Sequence, residues 1–110
     1  MINIKVLIPS KDAESTQTTQ YTATGVMAII DKFTATNHTD TAVQISVNLV
    51  NPSGAAADTN VVTKTKILQS NEVYTFPELV GHSIAAGGFI STLASVAAAI
   101  SIRSSGREVS

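Results

Sequence analysis

The stretch TAVQISVNLVNPSG, residues 41–54, limits the fold more than any other part of the chain. Val43, Ile45, Val47 and Leu49 recur at every second position, with Gln44, Ser46 and Asn48 between them. Successive side chains of a strand point to opposite faces, so this spacing predicts a half-buried strand. The segment Asn51-Pro52-Ser53-Gly54 then closes it with a Pro-containing turn.

Shorter signals of the same kind surround it. INIKVLI, residues 2–8, alternates at first and reads as a strand stopped at Pro9, which cannot donate to a ladder. Residues 10–16 read as a polar loop. The Thr-rich segment 17–25 reads as extended, with Gly25 at a turn or bulge. Residues 26–37 gather Val26, Met27, Ile29, Ile30 and Phe33, and read as a strand that starts in the core and becomes exposed. A short helix is disfavoured there by Thr34, Thr36 and the lack of a good cap. Asn37-His38-Thr39-Asp40 is turn chemistry, because Asn and Asp bond their own backbone. Residues 55–60 read as a loop.

Residues 61–69 alternate again, with Val62 and Ile67 apolar and Lys64 and Lys66 on a wet face, where lysines guard an edge. VYTF, residues 73–76, predicts a short strand ended by Pro77. Residues 77–83, PELVGHS, predict a one-turn helix or 3₁₀ turn, with Pro at its start and Gly near its end. Ala85-Ala86-Gly87-Gly88 predicts a second turn.

The end of the chain, FISTLASVAAAISIRSSGREVS, sets alanine propensity against pattern. A helix over 91–102 should carry charges on an outer face and a cap at its start, yet no charge occurs before Arg103. Ile90, Thr92, Val96, Ile100 and Ile102 are β-branched and interleaved. The pattern therefore predicts one strand over FISTLAS and another over AAAISIRSS, with the turn near Ser95–Val96. Small residues on both faces suit a central strand covered on both sides. Gly106 is read as an interruption. These elements make seven or eight short strands, which predicts a single all-β domain, an antiparallel β-sandwich or jelly-roll-like barrel.

A chain of 110 residues fits one core. Charged residues are only 14% of it, and the net charge of −1 excludes the clustered basic footprint that nucleic acid requires. Without cysteine there is no disulfide, thiolate metal site or Cys nucleophile. No run is long enough to span a bilayer, and the first residues lack a signal-peptide core, so the expectation is a soluble protein kept where it is made.

Catalytic constellations are not evident. His38 and His82 would need a further ligand, such as Asp40 or Glu78, to hold a metal, and read as exposed or capping histidines. No Gly-x-Ser-x-Gly elbow is present to make either of them part of a hydrolase triad. The carboxylates are dispersed, and Ala85–Gly88 does not lead from a strand into a helix as a phosphate loop would. Arg103 and Arg107 flank Ser-Ser-Gly and read as strand-end residues, solvated or at an interface. The five aromatics, Tyr21, Phe33, Tyr74, Phe76 and Phe89, are spaced as core anchors. With no Trp, an exposed aromatic platform for carbohydrate is disfavoured. The expectation is no enzyme and no cofactor.

One combination carries a resemblance. The alternating strand before Asn51–Gly54, the turn Pro77–Gly81 with Leu79-Val80, the Ala-Gly-Gly turn before Phe89-Ile90, and the terminal Ser-Gly-Arg-Glu-Val at 105–109 are similar to small virion structural proteins of tailed bacteriophages. The similarity covers roughly residues 35–110. It implies a β-sandwich assembly protein: a capsid decoration or cement protein, or a neck or tail component. The implied partners are phage structural proteins and further copies of the chain, with neither nucleic acid nor membrane, in a virion assembled in the host cytoplasm. Residues 1–24 read as a separable N-terminal strand or arm that pairs with a neighbouring subunit, and 25–110 as the sandwich domain. Tyr21, Arg103 and Arg107 are the candidate interface residues. A small carbohydrate-binding β-module is the rival reading.

Overall fold

In the computed structural model, which describes residues 1–110, the chain forms nine strands and no helix. They are β1 (Ile2–Asp12), β2 (Thr18–Thr22), β3 (Met27–Asn37), β4 (Val43–Val50), β5 (Val61–Leu68), β6 (Val73–Tyr74), β7 (Ser83–Ile84), β8 (Phe89–Ala94) and β9 (Ile100–Val109). The first sheet has the order β1-β9-β3-β6, with β7 also paired to β3. The second has the order β2-β8-β4-β5. All pairings are antiparallel, and the two sheets pack as a β-sandwich.

The alternation of β4 holds. Val43, Ile45 and Val47 are buried between the sheets and Leu49 packs against the same core. Asn48, on the opposite face, is nevertheless buried, because the loop at 55–60 covers it. Its Nδ2 donates to Ala57 O at 3.0 Å and to Asn60 Oδ1 at 2.7 Å. The C-terminal stretch is two strands, as its pattern predicts. Its turn extends over Ser95–Ala98, with Ala98 at φ 56°, so Ala97 and Ala98 lie exposed in the turn rather than on a strand. Ile100 and Ile102 face the core from β9, which lies between β1 and β3.

Several expectations need correction, and β-bulges account for most of them. A bulge puts two residues of one strand against one of its partner, so inward-facing positions shift by one. In β3 the register slips between Ile30 and Lys32, which lets Ile30 and Phe33 both enter the core. The strand does not become exposed towards its end, since Ala35 and Asn37 are also buried. In β1 a slip between Val6 and Ile8 buries Leu7 and Ile8 side by side. β1 does not stop at Pro9. It continues to Asp12 along β9, past a second slip between Ile8 and Lys11.

Gly106 does not interrupt β9 either. A Cβ there would collide with the Ile29 carbonyl and crowd Leu7, so β1 and β3 close on the strand at a point only glycine fits. In β5, Thr65 at φ 47° marks a slip that leaves Ile67 exposed, buries Leu68 and brings Lys66 over the Tyr74 ring at 4.8 Å. Lys66 is thus not on the wet face. Residues 77–81 form consecutive turns closed by bonds of the 3₁₀ type, Leu79 N donating to Phe76 O and His82 N to Leu79 O, with no full helical turn, and Ser83 already belongs to β7.

Residues 1–24 contribute one strand to each sheet, pairing within the chain with β9 and β8. Leu7, Ile8, Ala13, Tyr21 and Ala23 belong to the core. Phe33 and Phe76 form its aromatic centre, edge to face at 4.8 Å.

Candidate interaction surface

The outer face of the first sheet carries an apolar region at one end. Ile2, Val109 and Met27 stand in one row across β1, β9 and β3, and Ile4, Arg107 and Ile29 in the next. Ile2, Ile4, Val6 and Met27 are exposed, Ile4 most of all at 88%. β1 is inverted here. Its apolar side chains face outward, while Asn3 and Lys5 occupy the face directed between the sheets.

The interior explains that inversion. Tyr21, on β2, is only 8% exposed, and its hydroxyl donates to Glu108 Oε2 on β9 at 2.5 Å. Lys5 Nζ lies 3.3 Å from the same carboxylate. The hydrogen bond from Tyr21, aided by Lys5, holds Glu108 below the usual carboxylate range. Burial, together with the same bond, pushes the Tyr21 phenol up. A polar triad therefore closes this end of the sandwich. With the polar residues of β1 turned inward, the alternating apolar ones must turn out.

The three residues singled out by sequence are distributed differently. Tyr21 is taken up inside the chain, tying one sheet to the other. Arg107 is on the outer face among the apolar residues, paired with Asp31 through Nη2–Oδ1 at 2.9 Å and Nε–Oδ2 at 3.0 Å. The bulge in β3 is what places Asp31 there, an arrangement no sequence spacing reveals. Arg103 is exposed further along β9, within 3.5 Å of Ser10 Oγ, and lines a depression of about 190 Å³ with Lys32, Thr34 and Ser105. The face thus grades from apolar at Ile2–Met27 to basic at Lys32 and Arg103. Sequence reasoning missed the apolar end, although the alternation of Ile2, Ile4 and Val6 was its signal. What was not legible is which way the alternation points.

His38 Nε2 lies within hydrogen-bond distance of the acceptor Asp12 Oδ1, at 2.8 Å, and His82 is exposed on the turn after Gly81. Neither joins a cluster of three His, Asp or Glu side chains. On the outer face of the second sheet polar side chains are mixed with Leu93, Val61 and the exposed Ile67. Gln17, Ser46, Asn48 and Lys64 help line a depression of about 190 Å³ beneath the loop at 55–60. No protein-family model, curated protein or solved structure matches the chain.

Proposed function

We propose that the chain is a non-enzymatic structural protein of a virion, specifically a capsid decoration or cement protein that stabilises a phage head through subunit–subunit contacts. The observation that carries the reading is the outward apolar row of Ile2, Ile4, Val6 and Met27 beside the Arg107–Asp31 pair. Contiguous apolar residues rimmed by polar ones are the anatomy of an association surface. The low charge content, 14%, supports it, since a chain that remains dispersed alone usually carries more surface charge. The partners in this reading are the major capsid protein, or the neck or tail proteins, and further copies of the chain in a symmetric assembly.

The test is to quantify the chain against the major shell protein in purified particles. A copy number comparable with that protein is the expected result. A small fixed fraction moves the protein to the neck or tail. Absence from particles overturns the reading and leaves the carbohydrate-binding module, which a glycan array assays directly.

A further inference from the structure

A sandwich has open sheet edges, and each unpaired edge is a template for another strand. Three of the edges in this chain are blunted. β6 and β7 are two residues each. β2 is short and broken by a register slip between Thr19 and Tyr21. β5 has two slips and carries Lys64 and Lys66. The second half of β1 is blunted too, by two slips, by Pro9 and by Lys11. The segment Ile2–Val6 is different: its register with β9 is unbroken and all five residues are exposed.

The direction of its free backbone groups follows from the ladder. Met1 and Ser110 exchange both bonds, Ser110 N to Met1 O at 2.9 Å and Met1 N to Ser110 O at 2.7 Å. Antiparallel pairs alternate between bonded and non-bonded, so Asn3 and Lys5 also bond towards β9, and Ile2, Ile4 and Val6 present N–H and C=O to the open side. The opposite flank of the sheet agrees. Ile30, the partner of Gly106, turns its backbone away from β9 and bonds His82 O and Gly81 N. No bond outside the ladders engages Ile2, Ile4 or Val6.

We infer that Ile2–Val6 is a self-pairing edge, which joins a second copy of this chain antiparallel about a twofold axis at Ile4 and makes one continuous sheet through both copies. In this register Ile4 faces its own copy, and Ile2 and Val6 face each other. All of them are positions with outward backbone groups. Every apolar side chain meets another on the outer face, extended by Met27, Ile29 and Val109 on each side. On the inner face Lys5 meets Asn3 of the second copy. The neighbouring register, centred on Lys5, sets lysine against lysine and is disfavoured. The charges therefore select this pairing, and a copy of the chain fits the edge better than an unrelated strand. The inference gives the self-association in the proposed function a location, and it is tested on the purified chain without reference to particles.

Sedimentation equilibrium of the full chain should give twice the 11.4 kDa monomer mass at high concentration. Ile4→Pro removes one outward N–H and leaves the Asn3 and Lys5 bonds to β9 intact. Ile4→Lys sets like charges together at the axis. Both should weaken dimerisation at least about tenfold while circular dichroism and melting show a folded chain. Because the chain has no cysteine, Ile4→Cys is a second reporter. Oxidation should link two copies through it, and Ile67→Cys, also exposed but on the β5 edge, should link poorly. A wild-type chain that stays monomeric at every concentration overturns the inference. So does a dimer that survives both Ile4 variants, or equal cross-linking at the two cysteines. A dimer with no copies in particles would sink the virion reading and leave this one standing.

Discussion

β1 and β5 are edge strands of opposite sheets, and they are tied to the interior by the same device. Beside β1, Tyr21 and Lys5 hold Glu108. Beside β5, Thr63 and Tyr74 both donate to Glu78, with Lys66 stacked over the Tyr74 ring. In the first case Tyr21 of the second sheet reaches a carboxylate of the first; in the second Glu78, in the turn after β6, accepts from the neighbouring Tyr74 and, across the sandwich, from Thr63 of β5. Outside, the two strands differ. β5 is twisted by its slips at Thr65 and Val61–Thr63 and flanked by lysines. β1 is regular and apolar over Ile2–Val6 and becomes bulged only from Leu7 onward. A sheet edge is thus left pairable or made unpairable by a few local residues, with no change in how the strand is anchored within.

The sharpest way to break this comparison is to make the same substitution in both halves of β1. Ile8 is fully buried and Ile4 is 88% exposed. Ile8→Ala should cost about 2–5 kcal/mol, the loss of a buried side chain plus its cavity. Ile4→Ala should stay within about 0.5 kcal/mol when the chain is dilute enough to be monomeric. Urea midpoints measured at low concentration decide it, and equal losses would mean that Ile2–Val6 is part of the fold's core support. Next in size is Gly106→Ala, where β1 and β3 close on β9. The added methyl meets the Ile29 carbonyl and Leu7, so overpacking should cost about 1–3 kcal/mol. An unchanged midpoint would show that β1 can move off β9 without penalty.

These same positions show how far the sequence could be read. The class of fold was legible because β4 and the two C-terminal strands keep a period of two, and β-branched residues outweigh alanine propensity at Ile100 and Ile102. Bulges were not legible, since a slip of one residue leaves no local signature beyond two adjacent or closely spaced apolar residues. Leu7-Ile8, and Ile30 with Phe33, are such pairs, and they hid the orientation and length of β1 and the burial of the end of β3. Gly106 looked like an interruption because glycine also marks turns. Its reason here is close approach of a neighbouring backbone, which only the assembled sheet reveals. Tyr21 could be recognised as an anchor. Its partner Glu108, 87 residues away, could not.

The two tyrosine–carboxylate pairs predict a pH dependence common to both edges. Hydrogen bonds from Tyr21 and Lys5 hold Glu108 below its ordinary range. Burial draws Glu78 upward, but the bonds from Thr63 and Tyr74 outweigh it and hold that carboxylate low as well. A carboxylate depressed in the folded chain stabilises it above the unfolded value of about 4.3, and that stability is lost as pH falls through the folded value. On the alkaline side, the bond to Glu78 with some burial pushes Tyr74 up to about 12. Its contribution is present below the unfolded value of about 10 and is lost as pH rises through the folded one. Melting temperature against pH should therefore fall at both ends. Glu108→Gln and Glu78→Gln should each flatten the acid limb. If only one does, the two edges are not anchored alike.

The smallest effect expected is at Thr65, and it bears on whether twist or charge keeps the β5 edge unpaired. Thr65 is β-branched and sits at φ 47°, a conformation that costs about 1–2 kcal/mol for an L-residue with a Cβ. Glycine relieves that cost but loses about 0.5–1 kcal/mol through the freer unfolded chain. The backbone bond from Thr65 N to Ser46 Oγ survives the change. Thr65→Gly should then raise stability by about 0.5 kcal/mol, read as a small rise in the urea midpoint. Its sedimentation should match the wild type, because Lys64 and Lys66 still flank the edge. If Thr65→Gly instead associates more strongly, the strained bulge rather than the lysines is what blunts β5. The regular backbone of Ile2–Val6, more than its apolar side chains, would then be the property that sets β1 apart.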